Sequence, residues 1–259
     1  MVDYQVVIHS RYGHKYWRNH DSYAFAAEDA VCPLVAQELP RAMLALAIAF
    51  IPEGGSFLPV ALQGLTPGKN LLVSPDGRWM TTYIPTPYRG YPFRMASTEQ
   101  GEQVLCVDDA SGLISDETGN PFFNEDMTPG DSVMELVGFF RQIEANRVLT
   151  HQACAVLQQY NLIQPWPITI NGEGPELKVE GLFRIDEAAL NALPAEALIE
   201  VRAVGGLTIA YCQLLSMQHL PALGKLADAH AEAEREKQAQ NADSNLGFMS
   251  EGSTFSFGN

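Results

Sequence analysis

Missing from this sequence are the short patterns that announce common catalytic machinery. No G-x-G-x-x-G follows a strand-like run, no G-x-S-x-G elbow occurs, and no H-E-x-x-H sets two zinc ligands on one helical face. The nearest approach to a phosphate loop, Gly64 to Asn70, has one residue too few between its glycines and no serine or threonine after Lys69, so it reads as a turn. Basic charge is scarce. Sixteen Lys and Arg face 31 Asp and Glu, a net charge of −15 that opposes attraction to phosphate backbones and anionic lipid and makes nucleic acid an unexpected partner. The longest apolar run, Ala42 to Ile51, is too short to span a bilayer, so no transmembrane segment is expected. The first residues carry no basic-then-apolar signal region, which makes a cytoplasmic location the default and leaves leaderless export to the cell surface open. Cys32, Cys106, Cys154 and Cys212 form no C-x-x-C pair and sit among apolar neighbours, the pattern of buried free thiols rather than disulfides.

What the chain does have is apolar mass. With 46% hydrophobic residues in 259, it can bury a substantial core. The most informative stretch runs from Asn70 to Met95. Asn70 to Ser74 reads as a strand, Pro75-Asp76-Gly77 as a turn whose glycine is free to take positive φ, and Trp79 to Ile84 as a returning strand, together a hairpin. Pro85 and Pro87 then bar a regular ladder, so Pro85 to Gly90 is expected to be an exposed loop presenting Tyr88 and Arg89. Tyr91 to Met95 re-enters the sheet.

NLLVSPDGRW (Asn70 to Trp79) followed by YIPTPYRGYPF (Tyr83 to Phe93) resembles the pattern of the SapC family of bacterial proteins. The resemblance continues in order through Ser22 to Ala42, Leu58 to Leu65, Leu105 to Asp109, the aromatic pair at Phe122 and Val179 to Pro194, and spans roughly Tyr4 to Leu226. Two places depart from the family pattern: Gly90 stands where an arginine pair is common, and Gly13 to Asn19 where a His-Arg-Asp-like segment is usual. The family name implies a link to a surface layer.

Along the rest of the chain, Tyr4 to His9 reads as a first strand, and Arg11 to His20 as a basic, aromatic loop. Its rings pack inward while its charges stay wet, or else it docks an anion. Pro33 to Ala45 reads as a helix interrupted or restarted at Pro40. Ala47 to Pro52 and Phe57 to Leu65 flank a Glu53-Gly54-Gly55-Ser56 turn, and Gln103 to Asp109 is a strand with paired aspartates at an exposed end. Ala110 to Gly130 is a long loop. A long helix, capped by Thr128 or Asp131, runs to about Tyr160 with Val133, Leu136, Val137, Phe140, Ile143, Val148, Ala153, Val156 and Leu157 on its inner face. Ile168 to Ile170 and Leu177 to Ile185 form a hairpin around Asn171-Gly172, followed by helices at Asp186 to Leu193, Ala195 to Val204 and from Leu207. Long helices mixed irregularly with hairpins predict a single α+β domain over 1–226 with a mainly antiparallel sheet, an exposed polar helix over 227–240 and a disordered tail over 241–259.

No cofactor is implied. His9, His14 and His20 would make a metal site only if strand and loop fold back together, and His230-Ala231-Glu232 points its side chains in different directions on a helix, so no metal is expected. The remaining chemistry is an arginine and aromatic constellation of Trp79, Tyr83, Tyr88, Arg89, Tyr91, Phe93 and Arg94, with His14 and Asp108 as polar neighbours. It fits two functions. A non-catalytic interaction or assembly protein would present Tyr88 and Arg89 on an open face toward a protein or peptide partner. An enzyme or enzyme accessory would sink them in a cleft for a peptide or small anionic ligand. In a third, purely structural arrangement, Arg89 pairs with Asp108 or Asp109.

Overall fold

The computed structural model describes residues 3–170, 177–233 and 235. Its centre is a five-stranded antiparallel sheet in the order Ile163–Pro165, Phe183–Ile185, Ala47–Glu53, Ser56–Leu62, Val31–Pro33. The two longest strands form the hairpin expected from the paired glycines: Gly54 and Gly55 both take positive φ, the turn that matches strand twist and that a side chain resists. A second sheet, Tyr4–Val6, Gln103–Asp108 and Phe93–Ser97, is also antiparallel. Within the expected long loop, Ile114–Ser115 and Asn120–Pro121 grip Tyr16–Trp17 as a small ribbon. The fold is α+β.

The 29-residue helix Asp131–Gln159 ties these parts together. Its first half buries Val133 and Phe140 in a cluster with Tyr12, Trp17, Phe93 and Phe122. Its second half buries Ala153, Cys154 and Leu157 in the larger core, which includes Phe50, Leu62, Ile185 and Ile209. The apolar face is discontinuous, and Val148 lies in the exposed gap between the two halves, contrary to expectation. Nor does a side chain cap this helix: Gly130 is the N-cap, while Thr128 donates its hydroxyl to Asp126. Asp186, by contrast, does cap Glu187–Asn191 by accepting from the Ala189 N–H. Ala195–Ala203 and Gly206–Ser216 follow as expected, and the chain stays helical over 220–233. Among the described residues no single helix is long and apolar enough to cross a membrane. Asn171-Gly172 and 241–259 lie outside the described residues; Leu177–Val179 pairs with Ile168–Ile170, but Phe183–Ile185 belongs to the central sheet instead.

Two further elements differ from expectation, and the basic loop packs its rings inward as in the first of its two readings. The hairpin over Asn70 to Ile84 is reduced to one isolated bridge, Val73 to Trp79, around a real turn at Gly77. Side chains take over the bonding there: the Asn70 carboxamide accepts from the Leu72 N–H, and the Trp79 indole N–H donates to the Tyr83 carbonyl at 2.8 Å. The helix foreseen from Pro33 is only Leu39–Ala42, with Pro40 in its first turn, because Val31–Pro33 is recruited as a sheet edge. The basic loop of Arg11 to His20 packs Tyr12 and Trp17 inward and pairs Arg11 with Asp109 and Lys15 with Asp116. The four cysteines are free and buried.

Candidate functional site

The double-proline segment is a single helical turn, Thr86–Arg89, not an exposed loop. Thr86 and Tyr88 face inward, while Arg89 alternates out to solvent. The turn is pressed against the long helix at Gly90, where an added Cβ would lie 2.3 Å from the Phe140 ring. A side chain at this position would require the Phe140 ring to shift.

Two distant polar anchors hold the turn. Glu38, only 7% exposed, accepts through Oε2 from the Thr86 N–H, the Thr86 hydroxyl and the Tyr83 hydroxyl, and through Oε1 from the Val35 N–H. Such a buried carboxylate is tolerable because its lone pairs are used. Burial, and then the neighbouring Glu38 charge, push the Tyr83 hydroxyl up to about 12. The second anchor is Tyr88. Asn70 donates to the Ala26 carbonyl and accepts from Leu72, which orients its amide; its remaining N–H then meets Gln63 Oε1 at 3.0 Å and orients that amide in turn. Gln63 Oε1 also lies 2.8 Å from the Tyr88 hydroxyl, whose other neighbour is Asp29 Oδ2 at 2.9 Å. One phenolic proton thus faces two acceptors. Burial holds the Tyr88 hydroxyl far above its ordinary value, so it stays neutral.

Open cavities flank the turn and share Ile143 as part of their floor. The first, about 460 Å³, is lined by Glu38, Arg41, Tyr83, Thr86 and Arg89 on one side and by Phe139, Gln142 and Asn146 of the long helix on the other. Arg89 donates Nε–H to the Ile84 carbonyl at 2.9 Å and lays its guanidinium 4.9 Å from the Tyr83 ring centre. Among the described residues, neither Arg89 nor Arg41 makes an ion pair. The second cavity, about 400 Å³, is lined by Tyr4, Phe25, Asp29, Tyr88, Tyr91 and Arg94, with Phe140, Glu144 and Arg147 from the helix.

The sequence-derived constellation is therefore divided. Tyr83 and Arg89 line the first cavity; Tyr88, Tyr91 and Arg94 line the second; Trp79 lines neither and packs between Tyr23 and Tyr88. His14 is exposed and lines neither cavity, its ring 6.4 Å from His9. Asp108 is buried, not at an exposed strand end, because it accepts from Tyr91 and from the Asp3 and Ala110 N–H groups. The expected pairing of Arg89 with either aspartate does not occur: Asp109 takes Arg11 at 2.5 Å. His20 turns Nε2 to the Tyr88 carbonyl and packs against Tyr23 and Phe25, and among the described residues no group of three His, Cys, Asp or Glu side chains converges to hold a metal. Glu38, Arg41, Asp29, Gln63 and Asn70 were not singled out from sequence. Glu38, Arg41 and Asp29 lie within Ser22 to Ala42, one of the segments that carry the family resemblance, and that coincidence was the available signal.

An α+β protein whose family-like segments converge on one buttressed helical turn, with a cavity on either side, is the class defined here. The SapC family model matches residues 9–223, and the chain belongs to the SapC family. No curated protein and no solved structure matches it.

Proposed function

We propose that this SapC-family protein is a non-catalytic binding protein that holds an acidic segment of a protein or peptide partner in the first cavity. The observation carrying this reading is the pair Arg41 and Arg89, two exposed guanidiniums at one cleft, left without carboxylates in a chain with nearly twice as many acids as bases. A guanidinium offers a planar donor fork matched to a carboxylate. The cleft's own carboxylate, Glu38, already accepts four donors and is committed to holding the turn. Gln142 adds a neutral donor and acceptor suited to a peptide backbone, while Gln37 and Asn146 are bonded to each other at the rim. An assembly role at a surface layer is the narrower form of this reading and rests on the family name alone.

The test is binding of a fluorescein-labelled, glutamate-rich capped hexapeptide, with its glutamine counterpart as control. The glutamate peptide should bind and the glutamine peptide should not. Arg89→Ala and Arg41→Ala should each weaken binding by about 1–3 kcal/mol, the range for an arginine at an interface centre. Arg41→Ala should leave the melting temperature nearly unchanged, and Arg89→Ala should lower it only slightly, through loss of one exposed hydrogen bond to the Ile84 carbonyl and of the stacking on Tyr83. Arg89→Lys should retain only part of the affinity, keeping charge but losing the fork and the stacking on Tyr83. Equal affinity for both peptides, or arginine variants that bind like the parent, would remove the proposal. Turnover of the peptide on incubation would replace it with the enzymatic alternative.

A further inference from the structure

The second cavity has a different charge balance from the first. Four ionisable side chains other than tyrosine line it: Asp29, Arg94, Glu144 and Arg147. Arg147 lies 3.6 Å from Glu144 and is matched by it. Arg94 lies over the Tyr4 ring, its guanidinium carbon 3.6 Å from the centroid, a close cation–π contact. Asp29 is left over. Among the described residues it makes no ion pair, and its single side-chain hydrogen-bond contact is the Tyr88 hydroxyl, whose one proton is also claimed by Gln63. Glu28, its chain neighbour, adds a second negative charge. Around this carboxylate the walls are aromatic, Tyr4, Phe25, Tyr91, Phe93 and Phe140, with Phe25 and Tyr91 stacked at 3.8 Å.

An unmatched carboxylate at the mouth of an aromatic cavity is the complement of a long apolar stem ending in a cation. We propose that this cavity is a second binding site, distinct from the arginine cleft, and that it takes the side chain of a lysine or arginine, its stem against Phe25, Tyr91 and Phe140 and its charged head at Asp29. The contact of Arg94 with Tyr4 shows that the cavity wall already accommodates a guanidinium of the chain's own. Burial, opposed by the Tyr88 hydrogen bond and reinforced by Glu28, holds the Asp29 carboxyl above the ordinary carboxylate range. A bound cation would reverse that balance, so binding should release protons from Asp29 at mildly acidic pH.

The test uses Nα-acetyl-lysine N-methylamide as probe and the uncharged Nα-acetyl-norleucine N-methylamide as comparator, followed by the ¹³C-methyl signal of Met95, which lines the cavity. The lysine probe should shift that signal saturably and the norleucine probe should bind about fivefold more weakly, the upper end for one partly exposed ion pair. Asp29→Asn should remove the difference between the two probes, whereas Arg41→Ala and Arg89→Ala should leave it intact. That last comparison separates this site from the arginine cleft, so either can fail alone. Equal binding of both probes to the unaltered protein, or a lysine probe that leaves Met95 unmoved, would overturn the proposal without recourse to any variant.

Discussion

At neutral pH the Asp29 carboxylate is exposed on one side and partly desolvated on the other, where burial and Glu28 both penalise its charge, and Tyr88 shares with it a proton that Gln63 also attracts. A carboxyl raised above its ordinary value binds its proton more tightly when folded than when unfolded. Its contribution to stability is therefore present at low pH and is lost as pH rises through the folded-state value. Asp29→Asn removes the charge and supplies an amide donor for the Tyr88 oxygen, freeing the phenolic proton for Gln63. The variant is expected to melt higher than the parent at pH 7, and the difference should vanish as the pH falls below the carboxylate range. Paired thermal melts across pH 3 to pH 7 check this. A variant less stable than the parent at pH 7 would mean that the carboxylate is structurally favourable, and the argument for an unsatisfied anion would fail.

At the scale of elements, the junction between Phe183–Ile185 and Ala47–Glu53 shows side chains replacing a ladder. These strands share one paired position, Phe183 to Phe50, so the antiparallel register would next oppose Ile185 to Ile48. Instead Gln213 of the helix Gly206–Ser216 accepts from the Ile185 N–H at 2.9 Å and donates to the Ile48 carbonyl at 3.1 Å, while Ser216 accepts from the Ile48 N–H. Gln213→Met keeps the volume but strands one buried donor and one buried acceptor, each costing about 1–3 kcal/mol. Urea unfolding should show a loss of about 2–6 kcal/mol with an unchanged slope; a loss below 1 kcal/mol would show that water or a strand shift repairs the junction. This bridging explains what was legible and what was not. The hairpin of Ala47 to Leu62, the long helix and the three helices after Asp186 could be read because their turns, caps and spacings are local. The order of the central sheet could not, since it depends on bonds between residues far apart in the chain. The same holds for the site. Arg89 and its aromatic neighbours were visible as a cluster, but the burial of Tyr88 is decided by Asp29 and Gln63, and the fate of Thr86 by Glu38. A proline-rich, polar stretch looks like surface until such partners are known. The strand-like Asn70 to Ser74 failed for a related reason: β propensity reports fit to a sheet, and here Asn70 bonds to Leu72 and Gln63 instead of to a neighbouring strand.

On the scale of the whole molecule, two apolar clusters raise the question whether the chain folds as one unit. The smaller gathers Tyr12, Trp17, Phe93 and Phe122; the larger gathers the central sheet with Gly206–Ser216. The helix Asp131–Gln159, about 44 Å long at 1.5 Å per residue, enters both. Both cavities open along its middle, at Phe139 to Arg147, between its two buried ends. A continuous helix couples the clusters, because losing one leaves about half its turns without tertiary support, and a helix is marginal in water without such packing. Unfolding should therefore be a single transition. Trp17 reports on the smaller cluster and Trp166 on the larger, so variants retaining one or the other, with Trp79→Phe in both, give separate fluorescence signals. Their urea transitions, corrected for the stability of each variant by a shared circular dichroism curve, are expected to coincide. If Trp17 were released at lower urea than Trp166, the smaller cluster would be a separate folding unit and the floor of both cavities would be formed at a movable joint. Coincident transitions would instead mean that the two cavities lie along one helix that folds together with both clusters as a single cooperative unit.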